Sequence, residues 1–104
     1  MTAIAGEAIP DPLSDPWRVV SMALLCEARG EAVSEALADA VEDAAVFLTC
    51  RALMEAGMSS EKAVSQFDER DYEIHLSFNG ATDEFGLTIA WADGEGTTVN
   101  GRLA

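Results

Sequence analysis

Around the run Asp68-Glu69-Arg70-Asp71 the hydrophobic period of the chain changes from helical to extended, and this switch restricts the fold more than any other feature. Upstream, from about Ala32 to Ala56, the residues Val33, Leu37, Ala40, Val41, Ala44, Phe47, Leu48 and Ala52 recur at three- and four-residue steps. That spacing lays one broad apolar stripe along a helix. Downstream, Tyr72, Ile74, Leu76 and Phe78 alternate with Glu73, His75 and Ser77. Phe85, Leu87, Ile89 and Trp91 alternate with Gly86, Thr88 and Ala90. Strict alternation is the pattern of a strand with one buried face.

Punctuation residues divide the helical half. Ser14-Asp15-Pro16 reads as a helix start, since Ser or Asp can cap free amides and Pro is tolerated in the first turn. A first helix is expected from about Pro16 to Arg29, with Val19, Val20, Ala23, Leu24 and Cys26 near a helical period and Gly30 as its C-terminal cap. Gly57 ends the second helix. Ser59-Ser60-Glu61 restarts a short third one to about Phe67, with serine as cap and Glu61 near the positive end of the helix dipole. In the extended half, Asn79-Gly80 and the polar residues after it connect the first two strands. Asp93-Gly94-Glu95-Gly96 turns the chain into a weaker third strand holding Val99 and Leu103 on one face.

The expected fold is therefore α+β: two to three N-terminal helices packed on one face of a C-terminal three-stranded antiparallel β-meander. Residues 14–104 form a single domain, which suits a chain of 104 residues because domains run from about 50 to 250. Residues 1–13 contain Pro10 and Pro12 and lack periodicity, and they read as a flexible N-terminal arm. The N-terminus has no basic region followed by an apolar stretch, and no run approaches the roughly 18 apolar residues of a membrane span. These absences predict a cytoplasmic protein that does not enter the membrane, where Cys26 and Cys50 stay reduced and pack as small apolar residues.

Candidate chemistry is sparse. His75, the only histidine, falls on the outer side of its strand beside Glu73 and Ser77; catalysis needs a nucleophile or an orienting carboxylate held at hydrogen-bond distance, and this spacing allows contact with Ser77 but makes a weak grouping. The two cysteines, 24 residues apart, have no metal-ligand or redox spacing. The Asp93–Gly96 turn lacks the regular oxygen ligands and terminal glutamate of an EF-hand. The glycines fit neither phosphate-binding fingerprint. The reading is that the chain is not an enzyme and uses no cofactor or metal.

Charge is the positive signal. There are 19 Asp and Glu against 6 Lys and Arg, a formal net charge of −13. The basic residues Arg18, Arg29, Arg51, Lys62, Arg70 and Arg102 stand singly, so direct nucleic-acid binding is disfavoured, because phosphate neutralisation needs clustered cations. Such a chain attracts basic partners. Glu31, Glu35, Asp39, Glu42 and Asp43 form an acidic ladder on the expected second helix, with no Lys at i+4 to relieve it. Like charges at that spacing cost a few tenths of a kcal/mol per pair. These five residues are the expected partner-binding site, and the expected partner is a basic protein, in particular one that binds nucleic acid. A second unusual surface is the outer face of the middle strand, Gly86, Thr88, Ala90 and Ala92, small and nearly uncharged. It suits close docking, and a homodimer through this face is the alternative assembly.

In size and charge the chain resembles the small acidic inhibitors of phage or mobile-element origin that block bacterial defence nucleases, anti-CRISPR proteins and DNA mimics among them. The resemblance is one of composition and rests on no motif. It implies a stoichiometric inhibitor that occupies a basic nucleic-acid-binding surface. An immunity protein or antitoxin that covers a basic toxin has the same charge logic, and a structural or oligomerisation module is the third reading.

Overall fold

Pro16, which lacks the amide hydrogen that the first turn of a helix leaves unbonded, opens α1 (Pro16–Ala28) in the computed structural model, which describes residues 9–103. Neither Ser14 nor Asp15 caps this helix through its side chain; the Asp15 carboxylate instead accepts from Arg18 Nε at 3.0 Å. The helix ends in a Schellman motif. Gly30, at φ 71°, donates to Glu27 O at 3.1 Å, and Glu31 donates to Cys26 O at 2.9 Å.

The second helix, α2 (Glu35–Glu55), starts three residues later than the periodicity predicts, because the Ser34 hydroxyl accepts from the Leu37 amide at 3.1 Å and fixes the N-cap there. It ends as α1 does, with Gly57 at φ 108° and Met58 N–H donating to Leu53 O at 3.0 Å. Helix α3 (Ser60–Glu69) is capped by Ser59, whose hydroxyl accepts from the Lys62 amide at 3.2 Å.

Strands β1 (Tyr72–Asn79), β2 (Glu84–Trp91) and β3 (Gly96–Gly101) form an antiparallel meander in the order β1-β2-β3. Its register places Leu76, Leu87 and Val99 side by side on the face toward the helices, and His75, Thr88 and Thr98 side by side on the other. The fold is thus α+β, with three helices before the sheet. Two expectations at the strand ends are corrected. Ala92 lies past the end of β2, in the turn, where its amide donates to Asp71 O. Leu103 lies past β3 and is exposed. The indole of Trp17 lies directly against Gly101, where a Cβ would clash with it, so only glycine lets α1 close over the end of β3.

Two apolar clusters hold these layers together. In the larger, Trp17, Val20, Ala45 and Leu48 of the helices meet Phe85, Leu87, Ile89 and Trp91 of β2. The smaller joins α1 to α2 through Val19, Leu37, Ala40 and Ala44, with Ile9 packed at its edge. Each fully buried aliphatic side chain contributes about 1.5–3 kcal/mol, so β2, buried along most of its length, is the spine of the structure. Of the expected arm, residues 1–8 lie outside the described residues, while Ile9 rests on the α1–α2 cluster and Asp11 O accepts from the Asp15 amide at 2.9 Å. Among the described residues no helix is long and apolar enough to cross a membrane.

Candidate functional site

Four of the five expected acidic residues stand on α2, and all four are exposed. At about 100° of rotation per residue, Glu35, Asp39, Glu42 and Asp43 fall within an arc of about 100°, one side of the helix. Glu35, in the first turn, also benefits from the helix dipole. Glu31 does not belong to this stripe. It precedes the helix, at the end of the α1 cap, and lines a groove with Ile9, Met22 and Leu37. Leu37 is buried, on the far side of α2 from the stripe. The continuous helix expected from Ala32 is what had placed Glu31 in line; the Ser34 cap breaks that continuity.

Among the described residues none of the ion pairs reaches the stripe: they join Arg18 to Asp15, Arg70 to Asp93 and Glu95, and His75 to Glu73. The one basic residue on α2, Arg51, stands over the ring of Phe47 instead, 5.3 Å from its centroid. Glu42 has a different neighbour in Tyr72. Burial, and then the Glu42 carboxylate beside it, push the Tyr72 phenol above its ordinary pKa.

The acidity continues beyond α2. Asp11, Glu42 and Asp43 border one groove, and Glu42 with Asp68, Glu69 and Asp71 borders a second at the α3–β1 corner. Sequence spacing could not place these groups together, since they come from three separate segments.

Arg70 is the charged residue whose role the sequence hid. It counts there as one of six scattered cations, yet its guanidinium donates to Asp93 Oδ2 at 2.6 Å and Glu95 Oε1 at 2.7 Å while lying 4.4 Å over the Trp91 ring. The clasp ties the end of α3 to the β2–β3 turn. Asp93 is held below the ordinary carboxylate range, first by the hydrogen bond from the Glu95 amide and then by Arg70.

The remaining candidates are placed as the alternation predicted, on the outer sheet face. His75 Nε2 lies 3.4 Å from Glu73 Oε2, and both side chains are well exposed. Ser77 leans across β2, its Oγ only 2.6 Å from where a Cβ at Gly86 would stand, which explains the glycine and leaves it buried. Thr88 and Thr98 share a hydrogen bond of 3.0 Å on the same face. Cys26 and Cys50 are free thiols, the first half-buried and the second buried. Burial pushes the Cys50 thiol pKa up, which makes it a poor nucleophile at neutral pH. Among the described residues, no group of three or more His, Cys, Asp or Glu is arranged to hold a metal ion.

Comparison with known proteins gives no match to a family model, to a curated protein or to a solved structure. The functional reading rests on the geometry alone.

Proposed function

We propose that the protein is an acidic interaction protein that binds a basic, nucleic-acid-binding surface of a protein partner and inhibits it stoichiometrically. The observation that carries this reading is the stripe of α2: four exposed carboxylates on one side of a helix, none of them ion-paired among the described residues. From Glu35 to Asp43 the helix rises about 12 Å, so the stripe presents one negative charge per roughly 3–4 Å. One strand of DNA presents one phosphate per about 3.4 Å of axis. A basic groove shaped for a phosphate backbone meets a comparable density of charge on α2, held without any need to order a flexible segment. The like-charge repulsion along the stripe is relieved when the cations of the partner face it. Inhibitors of bacterial defence nucleases and toxin-neutralising proteins both act through such complementarity.

The test is substitution of Glu35, Asp39 and Asp43 by Lys, compared with Lys at Glu27, Glu55 and Glu73, three exposed carboxylates off the stripe. Both variants change net charge equally. A partner captured by the unmodified protein should lose affinity at least tenfold for the first variant and far less for the second, with helix content unchanged in circular dichroism. Equal losses would reduce the effect to overall charge, and no loss in either would discard the acidic stripe as the binding surface.

A further inference from the structure

The groove bordered by Asp11, Glu42 and Asp43 is unlike the rest of the acidic surface in having an apolar floor. Leu13, Val46, Phe47 and Val64 form that floor, brought together from the segment before α1, the middle of α2 and the first half of α3. Leu13 is 58% exposed and Val64 50%, although each is a large apolar side chain with a neighbour at hand to bury against. The groove has a volume of about 640 Å³, within the range of about 300–1,000 Å³ that accommodates inserted ligand groups. Among the described residues no Lys or Arg lines it, and the charged groups on its border are all negative. Charges that served only to mimic a phosphate backbone would gain nothing from apolar side chains left open between them.

We infer that this groove is the anchor site for a basic amphipathic segment of a protein partner, with an apolar side chain seated on Leu13 and Val64 and flanking Lys or Arg side chains meeting Asp11, Glu42 and Asp43. The inference rests on the proposed reading that the partner is basic, and it adds the apolar anchor that charge alone does not require. Helical segments recognised in grooves present such anchors at i and i+4. A second apolar groove, where exposed Leu25 and Phe78 lie beside half-buried Leu24 and buried Phe85, is lined by no charged residue among the described ones and so selects no sign of partner. It serves as the control.

The probes are two synthetic helical peptides of about 15 residues with the same number of lysines, one carrying leucines at i and i+4 and the other serines there. Affinity is measured by calorimetry, and the contact surface by amide chemical shifts of the ¹⁵N-labelled full chain. The leucine peptide should bind at least about tenfold more tightly, the effect of burying one aliphatic side chain, and should shift amides near Leu13, Val46 and Val64. The double substitution Leu13→Ser and Val64→Ser, neutral in charge and at half-exposed positions, should remove that advantage, while Leu25→Ser should retain it. Equal affinity of the two peptides would overturn the groove and leave the acidic surface standing. Binding of neither peptide at about 0.05 M salt, where the Debye length is roughly 14 Å, would overturn both. A loss from Leu25→Ser as large as that from the double substitution would overturn the assignment to this groove.

Discussion

The acids of the β2–β3 turn and the acids of α2 are treated in opposite ways. Asp93 and Glu95 share the guanidinium of Arg70, which is itself half-buried against Trp91. Glu35, Asp39, Glu42 and Asp43 stand on α2 with no cation in any ion pair among the described residues. Where carboxylates help to close this fold they are held by a guanidinium or by backbone amides. Those on α2 lie on its exposed side, although Glu42 there stands beside the Tyr72 phenol of β1. The turn acids are therefore explained by folding, whereas Glu35, Asp39 and Asp43 are left over from it.

The same helix shows how local this freedom is. By its helical period the stripe continues into Val46, Cys50 and Leu53, and there α3 packs over it, with Ala63 and Cys50 both buried. Acidic residues occupy that side of α2 only as far as α3 leaves it open.

The contrast is broken most severely by Arg70→Glu, which turns the clasp into three acids without a cation. A loss of about 2 kcal/mol is expected, most of it from the cation–π contact and packing on Trp91 and less from the ion pairs, whose acidic partners are exposed. Chemical denaturation would measure it, and an unchanged midpoint would show that the clasp is ornamental. A smaller effect, of the opposite sign, is expected on the covered side of α2. The Thr49 hydroxyl is fully buried and has no hydrogen-bond partner among the described residues. Thr49→Val should raise stability by about 1 kcal/mol, since it removes an unsatisfied polar group at nearly constant shape. A destabilised variant would mean that the hydroxyl has a partner.

Asp39→Lys sharpens the comparison by giving the stripe the cation it lacks. Paired at i−4 with Glu35 and at i+4 with Asp43, the new lysine should stabilise the helix by about 0.2–0.5 kcal/mol per pair, while weakening the proposed partner contact. Added salt should stabilise the unmodified protein more than this variant, because it screens a repulsion that the variant no longer has. The smallest effect concerns pH. The pKa of Asp93 is lowered in the folded state, so its contribution is present above the unfolded value, about 3.9, and fades as pH falls through the lower folded value. The stability difference between the unmodified protein and Asp93→Asn should therefore exist at pH 7 and shrink below about pH 4. A difference independent of pH would place the effect in packing instead of charge.

Periodicity and punctuation determined the class of this fold. The change from period 3.6 to period 2 separates helices from strands, and Pro16, Gly30, Ser59 and Gly57 mark helix ends through chemistry that operates within a few residues. The alternation also sorted His75, Thr88 and Ala90 to one side of the sheet before any partner strand was known. The errors arise where a local signal had a rival. Ser34 displaced the helix start and took Glu31 off the stripe, and the strand holding Val99 stops at Gly101, against Trp17, short of Leu103.

What only the tertiary structure decided is how distant segments meet. Arg70 finds Asp93 and Glu95 more than twenty residues away, and Leu13, Phe47 and Val64 share one groove from three parts of the chain. Local sequence sets which side of an element is polar, because that depends on a repeat of two or about 3.6 residues. Which polar side is then covered and which stays open to a partner depends on the angle at which helices and sheet pack, and that angle is set by the summed contacts of side chains far apart in sequence.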